Sequence, residues 1–458
     1  MSVAGWPRYD SYKDSGEGWI GEIPAHWDLQ PVRANFAFRN EKNDPVITEE
    51  VLSLSIAQGV TLYSEEGRGG NKRKDDLTGY KIARPGDIVL NSMNVIVGAV
   101  GRSKYFGAIS PVYYALFATR PDTNVDYYDR VLSNSVFQKN LLRHGKGILM
   151  KLSGTGQLNT IRMKIAQNDL KNVLMPAPPA SEQAAIVSFL DEKCAKVDEA
   201  VRIRERQIAL LRERRQILIQ QAVTRGLNPA APMKDSGIDW IGKIPAHWEV
   251  RRFKYLFMQS RLPVRPNDGV VTCFRDGQVT LRSNRRLEGY TEAIIEGGYQ
   301  GIRKGQLVLN SMDAFEGAIG VSDSDGKCTP EYVICDPIGH NLSQHYFAYL
   351  LREMALARYI QVICNAVRQR AVRIRYNNLA QHFMIVPPHS EQLAIVGFIE
   401  DAKGRFEAAI SIKEQQIAAL REYKASLIDA AVTGKIRVTA QAAGHAGAGR
   451  ETKLSAQA

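Results

Sequence analysis

The feature that most constrains this chain is that it carries three blocks of sequence twice, in the same order. Asp14-Ser15-Gly16 leads into Trp19-Ile20-Gly21-Glu22-Ile23-Pro24-Ala25-His26-Trp27. Asp235-Ser236-Gly237 leads into Trp240-Ile241-Gly242-Lys243-Ile244-Pro245-Ala246-His247-Trp248, at an offset of 221 residues. Gly86-Asp87-Ile88-Val89-Leu90-Asn91-Ser92-Met93, followed by Gly98-Ala99-Val100-Gly101, returns as Gly305-Gln306-Leu307-Val308-Leu309-Asn310-Ser311-Met312 and Gly317-Ala318-Ile319-Gly320, at an offset of 219. Pro178-Pro179-Ala180-Ser181-Glu182-Gln183 matches Pro387-Pro388-His389-Ser390-Glu391-Gln392, and the offset of 209 holds through Gln207-Ile208-Ala209 to Ala222-Val223-Thr224. A period this long marks a duplicated architecture, to be read before any single residue.

The drift of the offset shows where the halves differ. The last block aligns without a gap, whereas insertions and deletions fall between the first two blocks and it. A constant scaffold beside variable modules suggests that the modules carry different specificities. The blocks divide the chain into a globular module over residues 1–175, a helical segment over 176–232, a second module over 233–385 and a second helical segment over 386–438. The tail, 439–458, is rich in Ala, Gly, Gln and Ser and is expected to be disordered.

Each module reads as mixed α/β. Asp87–Leu90 and Gln306–Leu309 follow a glycine turn and have strand composition, while Tyr127–Arg143 and Ser343–Val362 carry helical spacing. The helical segments are bounded by Pro178-Pro179 and Pro387-Pro388 at the start, with Ser181 and Ser390 expected as N-caps and Glu182 and Glu391 in the first turn. Gly226 with Pro229, and Gly434, stop them. Between these signals an apolar seam runs through Leu190, Cys194, Val197, Val201, Ile208, Leu211, Leu218 and Ala222. Its counterpart is Ile399, Phe406, Ile410, Ile417, Leu420, Leu427 and Ala431. Arg204 with Lys413, and Arg215 with Lys424, interrupt both seams at matching places, as polar positions do when they fix register. A helix of about 43 residues spans roughly 65 Å and is too amphipathic to stand alone. The expected architecture is therefore two α/β (α+β) modules separated by two long helices in an antiparallel coiled coil, with an approximate two-fold. One turn of DNA is about 34 Å, so such modules could enter separate major-groove segments, with the helices as spacer.

Composition excludes several classes. No apolar run reaches the ~18 residues of a membrane span, and the first residues have no apolar stretch for a signal peptide, so a cytoplasmic protein is expected. The five cysteines show no CxxC spacing and the eight histidines no HxxxH pair, which leaves no support for a disulfide framework, a metal site or a metal cofactor. A formal net charge of +12 permits contact with a polyanion.

The order Trp-Ile-Gly-x-Ile-Pro-x-His-Trp, a variable module, Pro-Pro-x-x-Glu-Gln-x-x-Ile-Val, a long helix, and all of this again, resembles the specificity subunit of type I restriction-modification systems over residues 14 to 437. The resemblance implies two target-recognition domains, each reading one half of a split, asymmetric site in double-stranded DNA. It also implies helices that position two methyltransferase subunits and set the unread gap, and a full complex with ATP-using restriction subunits. In such systems this subunit does no chemistry and holds no cofactor. The residues agree: there is no Asn-Pro-Pro-aromatic motif, and Gly145-Lys146, Gly326-Lys327 and Gly434-Lys435 are not followed by Ser or Thr as a phosphate loop requires. A DNA-modifying enzyme and a coiled-coil scaffold without DNA specificity are the competing classes.

The repeated tryptophans Trp19, Trp27, Trp240 and Trp248 read as packing at the start of each module rather than as base-stacking groups. The identical Asn-Ser-Met triplets are poor base readers if the modules read different bases, and are expected to be structural or to make a shared backbone contact. Unmatched basic and polar loops suit DNA better, since Arg and Lys meet phosphates and guanine edges and Asn and Gln meet adenine. In the first module these are Arg68, Asn71, Lys72, Arg73 and Lys74, then Arg143, Lys146, Lys151, Ser153, Thr155, Gln157 and Asn159. In the second they are Arg282, Asn284, Arg285 and Arg286, then Arg368, Gln369, Arg370, Arg373 and Arg375. The stretch Arg202, Arg204, Arg206, Arg212, Arg214 and Arg215 reads first as a solvated or salt-bridged helix face, with DNA backbone contact across the unread spacer as the alternative.

Overall fold

The computed structural model describes residues 5–56, 58–64, 74–93, 99–146, 150–152, 158–161, 164–285, 298–364 and 373–438. Its contacts form two units, one of residues 1–205 with 414–458 and the other of residues 206–413. Each unit thus contains one module, the start of one long helix and the end of the other.

In the first unit, a four-stranded antiparallel sheet is ordered Phe36–Arg39, Tyr113–Ala118, Ile88–Asn91, Val100–Arg102. The second unit repeats it as Phe257–Gln259, Tyr332–Pro337, Leu307–Asn310, Ile319–Val321. The glycine-led segments that read as strands from composition are the third strands of these sheets. A β-hairpin packs beside each sheet: Leu52–Ser55 with Gly59–Leu62, and Val271–Cys273 with Val279–Leu281.

Two expected module helices are broken. Tyr127–Arg143 is Val125–Leu132, then Ser135–Asn140, then a 3-10 turn Leu141–His144. The cause is Asn134, whose Oδ1 accepts from Val136 N at 2.7 Å and Phe137 N at 3.2 Å and so restarts the chain as a new N-cap. Ser343–Val362 is Gln344–Leu356 followed by Tyr359–Ile363, with Arg358 between them at φ 59°. Apolar spacing alone ran through both interruptions.

The long helices are Ala180–Arg225 and His389–Val432. Ser181 and Ser390 are not their N-caps. Pro179 O accepts from Glu182 N at 2.9 Å and Gln183 N at 3.0 Å, and Pro388 O does the same for Glu391 and Gln392. The diproline therefore supplies the cap carbonyl itself, and the serines sit inside the first turn. Both helices end at a glycine in the left-handed region, Gly226 and Gly434, each at φ 73°.

No seam residue is exposed: Leu190, Ile399 and Leu427 are fully buried, while Val201, Leu211, Leu218, Phe406 and Leu420 are partly so. Inside the first unit, Lys424 Nζ donates to Asp198 at 2.7 Å, Arg421 Nη2 to Glu205 at 2.9 Å and Arg204 Nε to Gln416 at 2.9 Å. Low numbers on one segment meet high numbers on the other, so these segments run in opposite directions. Inside the second unit, Arg215 lies 3.8 Å from Glu407. Arg204, Arg215 and Lys424, which interrupt the seam in sequence, are half-buried, with apolar stems along the seam and charged ends on polar partners.

Candidate nucleic-acid interface

The repeated blocks meet one another. Asp28–Pro31, which follows Trp27, pairs with Leu174–Ala177, which feeds the first diproline, and Glu249–Arg252 pairs likewise with Phe383–Val386. This pairing sets the His-Trp end of one block against the Ser-Glu start of the helix. His26 Nε2 lies 2.6 Å from Glu182 Oε1, while Trp27 Nε1 and Tyr9 Oη donate to Glu182 Oε2 at 3.0 and 2.8 Å. In the second unit His247 Nε2 lies 2.6 Å from Glu391 Oε1 and Trp248 Nε1 donates to Glu391 Oε2 at 2.9 Å. Burial alone would raise the Glu182 carboxyl, but the bonds from His26, Tyr9 and Trp27 outweigh it and hold its pKa below the usual value.

The helix that closes each module comes from the other repeat. A Cβ on Gly434 would lie 2.4 Å from Pro24 and 3.0 Å from the Trp27 ring, and one on Gly226 would lie 3.1 Å from Trp248. Tyr127 Oη donates to Val432 O at 3.0 Å, and its counterpart Tyr346 to Val223 O at 2.9 Å. Trp27 and Trp248 are fully buried, so they pack the module base, and they are not surfaces for a base to stack on.

On this base stand the candidate loops. The first in each module leaves the second strand of the hairpin, after Gly59–Leu62 or Val279–Leu281. The second lies between the broken module helices and the short helix that precedes the diproline strand, Gln167–Leu170 or Tyr376–Ala380. The Asn-Ser-Met triplet anchors the returning foot of the second loop. Ser92 O accepts from Ile165 N at 3.0 Å and Ser311 O from Ile374 N at 3.2 Å. Asn91 and Asn310 turn inward to accept from Met93 N and Met312 N. The triplet makes the same internal bonds in both modules.

The feet of the two loops converge on one turn per module. In the second, Arg373 lies 3.6 Å from Glu331, and Arg282, whose Nε donates to Thr272, acts electrostatically on the adjacent Tyr332 hydroxyl. In the first, Lys81 Nζ donates to Tyr113 O at 2.9 Å and lies 5.2 Å over the Tyr114 ring. Burial, and then the neighbouring Lys164, lower the Lys81 pKa. Two cations driven together beside a half-exposed turn make a position that an anion would relieve. Gln300 stands where Lys81 does and donates to Tyr332 O at 2.8 Å, so the same carbonyl carries a charged donor in one module and a neutral one in the other.

Among the described residues no group of His, Cys, Asp and Glu is arranged to hold a metal ion, and no helix is long and apolar enough to cross a membrane. The site's resources are hydrogen-bond donors, cations and shape.

No protein-family model matches the chain. Over 262 residues it is 25% identical to a protein of Methanocaldococcus jannaschii described as the specificity subunit of the type I restriction enzyme MjaX. By sequence, this chain is a relative of a type I specificity subunit. The match covers 53% of the chain and 56% of that relative, so it spans about half the length of each. In fold, the chain matches one from a structure of complex assembly and conformational transition of the type I restriction-modification system. That match has a TM-score of 0.61, 15% identity and coverage of 90% of this chain and 98% of the other. The HsdS subunit from Thermoanaerobacter tengcongensis matches with a TM-score of 0.48, 15% identity and the same coverages.

On this fold the sequence candidates divide. Arg68, Asn71, Lys72, Arg73, Ser153, Thr155, Gln157, Arg286, Arg368, Gln369 and Arg370 lie outside the described residues. Lys146 and Lys151 lie on short strands, Gly145–Lys146 and Met150–Leu152, and Asn159 on Leu158–Ile161. Lys74 is exposed at the foot of the first loop. Arg143 pairs with Glu17, Asn284 donates to Thr280 at 3.0 Å, and Arg375 heads the helix Tyr376–Ala380. Lys81 and Lys164 were not among the sequence candidates. Aligning Lys81 with Gln300 at the 219 offset would have found the first, because a changed residue stands there between two matched blocks.

Proposed function

We propose that this chain is the non-catalytic DNA-specificity subunit of a type I restriction-modification complex. Its two modules act as target-recognition domains, each reading half of a bipartite, asymmetric duplex site. The observation that supports this most is the contrast between scaffold and loops. The latch of Glu182 on His26 and Trp27 recurs as Glu391 on His247 and Trp248, and the helix-end glycines and Asn-Ser-Met anchors recur with it, whereas the loop sequences between them differ in length, charge and donor type. Identical bases under unlike readers suit two different half-sites.

In this reading the long helices form an antiparallel coiled coil that fixes the unread gap and presents two methyltransferase subunits, with restriction subunits joining the full complex in the cytoplasm. Base-edge contacts from the Asn, Gln and Arg of each loop pair specify sequence, while phosphate contacts set register.

The test is to purify the chain with its methyltransferase partner and map methylation on genomic DNA. One split motif with a fixed gap is expected, and it should vanish from the host when the gene is deleted. A methylome unchanged by the deletion would sink the reading. Methylation by the chain alone with S-adenosylmethionine would replace it with the enzyme reading. Failure to retard duplex DNA at low salt would leave the scaffold reading instead.

A further inference from the structure

The hairpin of the second module turns at residues 274–278 in a seat made of glycines. Gly277 is at φ +90°, and a Cβ on Gly320 would lie 1.9 Å from Gly277 O. Arg352, from the helix Gln344–Leu356, seals this seat. Its Nη1 donates to Gly317 O at 3.1 Å and lies where a Cβ on Gly277 would come within 1.7 Å. The chain leaving the hairpin then doubles back through Arg285. Its Nη2 is 2.6 Å from Asp276 Oδ2, its Nη1 donates to Gln278 Oε1 at 3.1 Å, and its guanidinium stacks 4.3 Å over the Phe274 ring.

Arg285 is one of the arginines assigned to DNA contact from sequence, yet its two Nη atoms are already met by one carboxylate oxygen of Asp276 and the amide oxygen of Gln278. Together these two oxygens offer the guanidinium an anionic edge that a phosphate could replace. The pair is partly exposed, with 39% of the Arg285 side chain and 53% of Asp276 open to solvent, so it is weak enough to exchange. The bond from Arg285 holds the Asp276 carboxyl below its usual pKa, and Arg352 adds to this from the other side. The first module shares the glycine seat, since a Cβ on Gly101 would lie 2.9 Å from Gly59, but it has Ser133 where Arg352 stands.

We propose that Asp276 is a specificity-determining residue of the second module: it holds Arg285 in place of DNA and yields it only to a duplex whose other contacts complete the exchange. Arg352 keeps the Asp276 carboxylate compensated once Arg285 has left. Random DNA offers phosphates alone and must displace Asp276 for little gain, whereas the target also offers base edges. The inference rests on the DNA-reading function above and assigns the guard to one half-site only.

The experiment uses the complex of the full chain with its methyltransferase partner. Fluorescence anisotropy is read with a scrambled duplex and with the duplex carrying the mapped motif. Asp276→Asn, close in shape and half-exposed, is expected to tighten the scrambled duplex about fivefold, with a much smaller change on the target. Mismatches should become better tolerated in the second module's half-site and not in the first's. In an Arg285→Ala background the Asp276→Asn gain should disappear, and in an Arg285→Lys background part of it should remain. An equal gain without Arg285 would show plain charge repulsion and overturn the guard, as would no gain at all with an unchanged melting temperature. If the unmodified complex fails to distinguish target from scrambled duplex, the specificity reading itself falls and the guard with it. Discrimination that is intact but indifferent to Asp276 removes the guard alone.

Discussion

At the scale of single residues, a half-buried acid and a buried one have opposite fates. Glu182 accepts from Trp27 and Tyr9 and contacts His26, so replacing it leaves a buried indole N–H without its acceptor. Glu182→Ala is expected to cost about 1–3 kcal/mol in denaturant unfolding, and Glu391→Ala a similar amount through Trp248. A loss no larger than that of a surface substitution would remove the latch from the account. Glu353 is 6% exposed, and burial pushes its pKa up to about 7 against the weaker lowering by Gln216 and Arg352. Because the folded form holds a proton that the unfolded chain releases above about pH 4.3, stability falls as pH rises from there through 7. Glu353→Gln keeps an oxygen for Gln216 and removes the titration. It should therefore melt above the parent at pH 8, with the gap closing toward pH 4. The Trp, His and Glu words were legible as repeats. That they bond to one another was not, because their partnership is set by strand pairing between segments about 150 residues apart. Glu353 gave no sequence signal, since its environment exists only after Gln216 is brought against it.

At the scale of elements, helix stops were read from local chemistry and helix breaks were not. Gly226 and Gly434 sit at φ 73°, where glycine is favoured over every other residue, and proline-led starts are equally local. Asn134 and Arg358 interrupt helices whose apolar spacing continues across them, so periodicity alone reports one element where there are two. The seam was read from apolar residues three, four or seven apart over many turns, broken only where Arg204, Arg215, Lys413 and Lys424 stand, a pattern no loop imitates. If the helices are the ruler, a heptad inserted after Ala209 and another after Ala418 adds about 10 Å, or roughly three base pairs, to the unread gap. Methylome sequencing of the variant should show both half-sites unchanged and the gap lengthened, or no methylation at all. Altered half-site bases would contradict the ruler.

For the whole molecule, the sequence divides the chain into halves, but the folded chain divides elsewhere. The repeated blocks were legible and the closure of each unit was not, because the helix end that packs on each repeated tryptophan is encoded in the opposite repeat. One unit is contiguous, residues 206–413, and the other is assembled from residues 1–205 and 414–458. The order of synthesis therefore differs from the order of completion. The first module leaves the ribosome early, but the Gly434 end that packs on Trp27 is translated more than 400 residues later, and only then can Arg437 N reach Pro7 O, 2.7 Å away. The second unit has all its parts by residue 413. Pulse proteolysis of stalled nascent chains should find the second module protected first. A chain ended after Lys413 should keep the second module folded while the first becomes the protease-sensitive half. The N-terminal module thus waits on a helix end made long after its own strands, and until then its Trp27 face lacks the Gly434 end that covers it.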